Sequence, residues 1–512
     1  MTDVRIVTEP LGGSPLSRAV QGAAAPAHWL AARPGSAEAW RALAQARAAE
    51  SGWHERWEAL RPAIMATGPA AERLARVVRD GGVVVTTGQQ PGLFGGPIYT
   101  WSKAVSALAL ADAIQERVGV ATAAIYWAAT DDADFAEAAS TAIARPGGLE
   151  VLRAHQAPPT GTPLALTPLG DLEAARHRLI EASGSAPDPR ALETVGTAYG
   201  DPTRTHGDAF VALLRALLAP LGVPVLDASH EAAVKASAPT IRLALDRASA
   251  IEAALTNRAS EIRAAGFEPQ VDDVRGLALA FVRDATIKRR LTIAEASGVT
   301  GWLTPNVLLR PIVERAILPT LAYVAGPGEL AYFAQVGAVA DAMGVSAPVA
   351  VPRWSCTLIE PQTEAVLTRL GVTPADLDPP NELEGRLARA AMSETTARTL
   401  ADLREVIAML PDTIGEESEA LGVGGAVVGA TKGLHHRVDR LERRIVAALK
   451  RRESARMTDL ATLRAALRPR GARQERTLNI IPLLARNGCE LLTDMCRAAG
   501  PHAAALVTGE SI

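Results

Sequence analysis

The chain has 512 residues, 48% of them hydrophobic and 21% charged, with a formal net charge of −3, which describes a folded protein of about three units rather than a single core. No basic block marks a nucleic-acid or anionic-membrane partner, no apolar run reaches the roughly 18 residues of a membrane span, and Asp3, Arg5 and Glu9 break up any signal-like start. Three cysteines, Cys356, Cys489 and Cys496, lack Cys-x-x-Cys pairing, so the expectation is a soluble protein of the reducing cytoplasm, with Cys489 and Cys496 packing on one helix face.

Residues up to about 80 read as helices, with Trp29, Trp40, Trp53 and Trp57 as packing anchors. An α/β unit follows, with a strand over 83–87, a helix over 99–117 and a strand over 123–129. A helix over 207–219 then leads to a strand over 224–228. This alternation predicts an α/β fold, a parallel sheet with helices on its faces. Two insertions interrupt it. One, over about 140–205, is rich in Pro, Gly and polar residues; the other, over about 231–300, starts as a long helix and ends in strands at 276–283 and 288–292. The alternation resumes at about 304 with a helix, a strand over 322–325, the turn Gly326-Pro327-Gly328, a helix to Met343 and a strand over 348–351.

Beyond about 356 strand signals cease. Leu434, Val438, Leu441, Ile445 and Leu449 recur at steps of four, three, four and four, which is coiled-coil spacing, with an ordinary helical hairpin as the alternative. Residues 400–410 are the candidate antiparallel partner, and the glycine-rich stretch 422–429 reads as a flexible connection. The expected division is a core over 1–355, a helical coiled-coil domain over 356–470, and a segment over 471–512 returning to the core.

The turn after the first strand, Thr87-Gly88-Gln89-Gln90-Pro91-Gly92-Leu93-Phe94-Gly95-Gly96-Pro97-Ile98-Tyr99-Thr100, is neither a Walker A loop nor a G-x-G-x-x-G turn. It resembles the T-G-Q-Q-x-G-L-x-x-G-P-x-Y-T signature of the BshC family, the cysteine-adding enzymes of bacillithiol biosynthesis. Four more blocks are similar to that family in the same order: Leu303-Thr304-Pro305-Asn306-Val307-Leu308-Leu309-Arg310-Pro311, the stretch from Pro319 to Gln335 around Gly326-Pro327-Gly328-Glu329, Val351-Pro352-Arg353, and Gln474-Glu475-Arg476-Thr477-Leu478-Asn479. The resemblance implies a Rossmann-like, nucleotidyltransferase-type core with connecting insertions, an α-helical coiled-coil domain and a homodimer. It also implies a ligase that joins the carboxyl group of cysteine to the amine of glucosaminyl-malate. An amide made from a carboxylate needs activation, so ATP is implied as well, with Mg²⁺ as a candidate ion.

Two departures stand out. Where the family usually reads Tyr-Thr-Ile-His-Lys-Ala, this chain has Tyr99-Thr100-Trp101-Ser102-Lys103-Ala104. Where it reads W-I-A-x-E-D-H-D-F, the chain has Trp127-Ala128-Ala129-Thr130-Asp131-Asp132-Ala133-Asp134-Phe135, so Ala133 replaces a histidine and Asp131 a glutamate. Two alternatives therefore stand beside the ligase. One is a non-catalytic or repurposed paralogue acting in ligand binding or assembly; the other is an amide ligase with a different amino acid or acceptor.

Open α/β sheets bind ligands at the carboxyl ends of their strands, and the candidate residues gather at such ends. Asp131, Asp132 and Asp134, with Lys103, form the expected catalytic set: the aspartates orient or deprotonate an amine, or draw in a cation. The bland alternative is a turn that caps the next helix. Gln89, Gln90 and the Gly88–Gly96 loop would shape the pocket floor. Tyr99 and Lys103 are expected on a polar helix face, with Lys103 and Arg310 gripping malate or phosphate. Asn306 projects beside Arg310, whose alternative is an ion pair with Glu314. Gly326, Gly328, Glu329 and Tyr332 repeat the strand–turn–helix arrangement. The nine scattered histidines and the absence of a G-x-S-x-G elbow suggest neither a zinc site nor a serine nucleophile.

Overall fold

The computed structural model describes residues 2–50, 52–155, 157–272, 275–378 and 382–510. They form two units, one of Met1–Ile143, Glu150–Glu360 and Gln474–Ile512, the other of Ala144–Leu149 and Pro361–Arg473. The strands are β1 (Arg5–Thr8), β2 (Val83–Gln89), β3 (Thr122–Ala128), β4 (Ser140–Arg145), β5 (Gly148–Arg153), β6 (Val225–Asp227), β7 (Leu277–Asp284), β8 (Ile287–Thr292), β9 (Trp302–Pro305), β10 (Thr320–Ala325), β11 (Val349–Pro352) and β12 (Cys356–Ile359). Five helices position the features discussed below: α1 (Ile98–Val118), α2 (Arg310–Ile317), α3 (Pro327–Met343), α4 (Glu394–Ala420) and α5 (Gly424–Arg452).

The β-branched run Val83-Val84-Val85-Thr86-Thr87 is buried throughout, as a strand at the centre of a parallel sheet requires. The sheet has the order β11-β10-β2-β3-β6, with every neighbouring pair parallel. From β2 the chain builds outward through β3 and β6, then returns to place β10 on the opposite side of β2. That reversal is the switch point at which such sheets open a ligand crevice.

Helix α1 packs on this sheet and against the helix Glu490–Thr508, so it is buried on nearly every side. The polar face expected for Tyr99 and Lys103 does not exist: Lys103 is 3% exposed. Small side chains at Ala104, Ala107 and Ala111 allow close approach by both neighbours. Trp29, Trp40 and Trp53 are buried as anticipated, and Trp57 stacks at a tilt on Trp53 with ring centroids 5.1 Å apart.

Several elements differ from the sequence expectation. The 140–205 insertion contains helices Glu173–Ser183 and Arg190–Tyr199. The second buries Ala191, Val195, Ala198 and Tyr199, a stripe at helical spacing within a polar composition. β9 pairs antiparallel with β7, giving a three-stranded sheet of order β8-β7-β9. β12 lies just past 356, where strand signals were expected to end, and pairs antiparallel with β1. Cys489 and Cys496 are half-buried rather than core residues, and all three thiols are free.

In the second unit, α4 and α5 form an antiparallel pair joined by only Leu421, Gly422 and Val423. Gly422 takes φ +71° at the reversal, while Gly424, Gly425, Gly429 and Gly433 lie inside α5. The expected flexible connection is therefore helix, because a pair supported along its length absorbs glycine at about 1 kcal/mol each. Leu400 and Ile407 pack on Val438, and Arg404 pairs with Asp439 and Glu442. Leu434 and Leu441 of the proposed seam remain 39% and 48% exposed. Among the described residues, no helix is long and apolar enough to cross a membrane.

Candidate functional site

A cavity of about 670 Å³ opens at the carboxyl ends of β2, β3 and β10. Gly88, Gln89 and Gln90 line it after β2, with Tyr99 and Lys103 of α1, and Asp131 and Asp132 after β3. Asn306 and Arg310 enter before and at the start of α2, and Gly326, Gly328, Glu329 and Tyr332 around the start of α3. Asp134 does not line it.

The deepest wall is a charge network at the switch point. Lys103 Nζ lies 2.6 Å from Glu329 Oε2 and donates to Gly88 O (2.7 Å) and Gln89 Oε1 (2.9 Å). Arg310 Nη2 donates to the hydroxyls of Tyr323 (2.9 Å) and Tyr332 (3.0 Å) and lies 3.4 Å from Glu329 Oε1. Tyr323 OH donates to the same carboxylate at 2.6 Å, and Gly326 N caps α3 onto it at 2.7 Å. Burial works against the Glu329 charge, yet Lys103 and Arg310 hold its carboxyl below the ordinary value; burial pushes Lys103 down. All three Lys103 donors are thus spent on the protein. Lys103 and Arg310 are held in the wall by Glu329, whose single negative charge offsets one of their two positive charges, and Lys103 does not stand on the exposed polar face expected of it. Gly88 is required here: a Cβ would meet Trp127 O at 2.7 Å and Arg310 Nη1 at 2.8 Å. Asn306 serves the same wall indirectly, its Oδ1 accepting from Leu308 N (3.1 Å) and Leu309 N (3.0 Å) at the entrance to α2.

Arg310 also makes its alternative contact, with Nη1 3.6 Å from the fully buried Glu314. Burial pushes the Glu314 carboxyl up to about 7 although Arg310 pulls the other way; Glu329 adds to the rise and Lys103 opposes it. The folded protein then holds a proton that the unfolded chain releases above its ordinary value of 4.5. The resulting stability is complete below that value and is lost as pH rises through about 7. At about 1.4 kcal/mol per tenfold in proton affinity, the effect is worth about 3 kcal/mol. We expect Glu314→Gln to gain stability relative to the parent between about pH 5 and about pH 8, by up to about 3 kcal/mol. Urea unfolding of both proteins across that range checks this, and parallel pH profiles would refute it.

The aspartate cluster divides in three. Asp131 pairs with Lys288 at 2.9 Å, and Lys288 Nζ also donates to the Asp131 carbonyl at 2.8 Å. Asp134 is exposed and caps the helix Phe135–Ala138, accepting from Glu137 N at 3.2 Å. The capping alternative therefore describes Asp134, which is exposed and is not among the residues lining the cavity. Asp132 is half-buried in the cavity wall, and its Oδ1 accepts from Asp134 N at 3.0 Å. Burial, then Asp131, raises its pKa, and among the described residues it has no ion pair. Glu137, not foreseen, lines the same side, accepts from Gln90, and is also raised, first by burial. Among the described residues no three His, Cys, Asp or Glu side chains could hold a metal ion together. Ser102, at one position where a histidine was expected, is wholly buried, with Oγ 3.3 Å from Ile98 O, and does not line the cavity.

The rest of the glycine-rich loop is structural. Asn479 Nδ2 donates to Phe94 O (3.0 Å), Gly96 O (3.2 Å) and Leu93 O (3.3 Å), and Tyr199 OH to Gly92 O at 3.3 Å. Residues 91–96 do not line the cavity, and the amides of Gly95 and Gly96 are taken by the carbonyls of Gly92 and Leu93, so this stretch forms neither pocket floor nor anion cradle. From the same C-terminal segment, Arg476 reaches the cavity wall. Phe281, Lys288 and Arg290 line it from β7 and β8. Their alternation at 288 and 290 placed both on one strand face, but nothing local indicated which surface that face meets.

The chain matches the family model "Bacillithiol biosynthesis BshC, N-terminal Rossmann-like domain" over residues 61–300 and 293–354, and its "C-terminal coiled-coil domain" over residues 356–506. It is 30% identical over 461 residues to a protein of Solibacter usitatus named "Putative cysteine ligase BshC", covering 85% of this chain and 86% of that one. Proteins of the same name in Koribacter versatilis and Bacillus cereus are 31% and 25% identical, each covering at least 80% of both chains. With both of its domains matched in order across nearly its whole length, the chain belongs to the BshC family of bacillithiol biosynthesis.

Proposed function

We propose that this protein is a cysteine ligase, joining the carboxyl group of cysteine to the amine of glucosaminyl-malate. The observation that carries the reading is Asp132, a carboxylate in the cavity wall without an ion pair among the described residues, at the strand end where this fold binds ligands. Its oxygen accepts from the acceptor's ammonium and takes one proton, which frees the nitrogen lone pair to attack the activated cysteine carbonyl carbon. The carbon–nitrogen bond forms, the bond from that carbon to the activating group breaks, and the group leaves with the electron pair. A carboxyl raised by burial is a stronger base than a solvated one, and so closer to the optimum for this transfer. Activation of the carboxylate implies ATP. The two glycine turns offer a phosphate no ready cradle, since the amides of Gly95 and Gly96 are taken by the carbonyls of Gly92 and Leu93 and the amide of Gly326 by Glu329. The proposed steps are therefore confined to Asp132 and its neighbours. Thiol profiling of a deletion strain tests the reading: bacillithiol should vanish while glucosaminyl-malate accumulates. An unchanged profile would select the non-catalytic paralogue or a different amide ligase.

We propose further that the protein is a cytoplasmic homodimer, paired through the helical unit. Leu403, Val406 and Met409 on α4 and Leu434 and Leu441 on α5 are all at least 39% exposed, and apolar residues at such spacing need a partner to leave water. We expect Val406→Glu combined with Leu441→Glu to halve the mass seen by light scattering. An unchanged mass, or a monomeric parent, refutes the proposal.

A further inference from the structure

The segment 474–479 holds five polar residues, four of which are treated in opposite ways by the fold. Gln474 exchanges hydrogen bonds with the backbone of Leu358 in β12, accepting from its N and donating to its O, both at 2.8 Å. Glu475 takes Arg353 in a two-pronged pair of 2.6 and 2.7 Å. Asn479 binds the glycine-rich loop after β2. These three are at most 2% exposed. Arg476 sits among them, exposed, on the cavity wall, with no hydrogen bond or ion pair among the described residues. The other cations around the cavity are engaged: Lys103 and Arg310 by Glu329, Lys288 by Asp131, Arg353 by Glu475, and Arg290 Nε by the Ala278 carbonyl at 3.3 Å.

We propose that Arg476 is the anion-binding residue of this cavity, receiving an oxyanion of the ligand on its guanidinium. Three clamps fix the backbone on either side of it, so less of its freedom is left to lose when it binds. A planar guanidinium with free donors suits a carboxylate or a phosphate through two parallel hydrogen bonds. Asp132 and Glu137 on one side and Arg476 on the other then give the cavity accessible groups of both signs, which fits a ligand carrying an amine and an acid. The assignment rests on the proposed ligase reading only for the identity of that ligand. Malate and the phosphates of ATP are the two sources of such an oxyanion.

The test is calorimetric titration of the full-length parent, Arg476→Ala and Arg476→Lys with malate and, separately, with ATP, alongside the melting temperature of each protein without ligand. We expect Arg476→Ala to melt with the parent and to lose at least tenfold in affinity for malate, with Arg476→Lys intermediate. The same loss confined to ATP also upholds an oxyanion site, with phosphate as its source. Affinities for both probes within twofold of the parent overturn the proposal, as does a parent that binds neither. Cysteine-dependent turnover of glucosaminyl-malate is measured in parallel and separates the two claims. An inactive parent whose malate binding depends on Arg476 overturns the ligase reading alone, whereas an active parent matched by Arg476→Ala in binding and in kcat/KM overturns this assignment alone.

Discussion

Asp132→Asn is expected to fold as the parent does and to lose at least about 100-fold in turnover, the lower range for removal of a general base. The folding part follows from the turn. Asp132 Oδ1 accepts the backbone N–H of Asp134 at 3.0 Å, and an asparagine carbonyl oxygen can accept the same bond. What the substitution removes is the charge, and with it the capacity to hold an ammonium or take its proton. Asp131 cannot substitute, because Lys288 occupies it at 2.9 Å. Asp134 cannot either, because it faces solvent as a helix cap. Burial has raised the Asp132 carboxyl, so the acid limb of the parent's pH–rate profile should lie above that of a solvated aspartate and vanish in the variant. The assay begins with the parent, since a paralogue without the ligase step shows no turnover to lose. Ala133→His is the companion variant: a gain of activity in an inactive parent would identify residue 133 as the missing part. An active parent matched by Asp132→Asn refutes the site assignment while leaving the family assignment intact.

What could be read in advance was set by how local its cause is. The apolar runs of β2, β3 and β10, each followed by a glycine-rich or acidic turn, carry their own signal. The strand expected over 123–129 is found at Thr122–Ala128. β1 and β12 have four residues each, too few for a period, and exist because they pair with each other although they lie far apart in the chain. Lys103 was misplaced because a lysine four residues after a tyrosine suggests a polar face. Glu329, on another helix, is what makes its burial tolerable. The same distance hid the division of the aspartates. Lys288, 157 positions away, decides that Asp131 is neutralised and Asp132 is not. Arg476 could be recognised as part of a motif, but its neighbours gave no sign that they were the buried members and it the accessible one.

Glu475→Gln is expected to lower the unfolding free energy by about 3–5 kcal/mol, the cost of breaking a buried ion pair from one side. Both side chains of the Arg353–Glu475 pair are 2% exposed. Ser355 Oγ adds a third donor to Glu475 at 2.8 Å, and Arg353 Nη1 also reaches Trp354 O at 2.8 Å. A glutamine keeps the volume but sets an amide against a guanidinium that cannot shed its proton, leaving a charge buried without its counter-ion. Urea unfolding supplies the measurement, and a midpoint and slope equal to the parent's would show that this pair anchors nothing. Arg353→Met combined with Glu475→Leu separates the cost of the orphaned charge from the value of the pair. Apolar replacements of similar volume should recover most of the loss, because the desolvation penalty disappears with both ions. A double variant as unstable as the single would instead mean that the hydrogen bonds to Ser355 and Trp354, rather than the charge, hold the segment. Either way the consequence reaches the cavity. Arg476 follows Glu475 directly in the chain, so loosening this anchor should weaken malate binding even under conditions in which the protein remains folded, while a stable double variant should regain it.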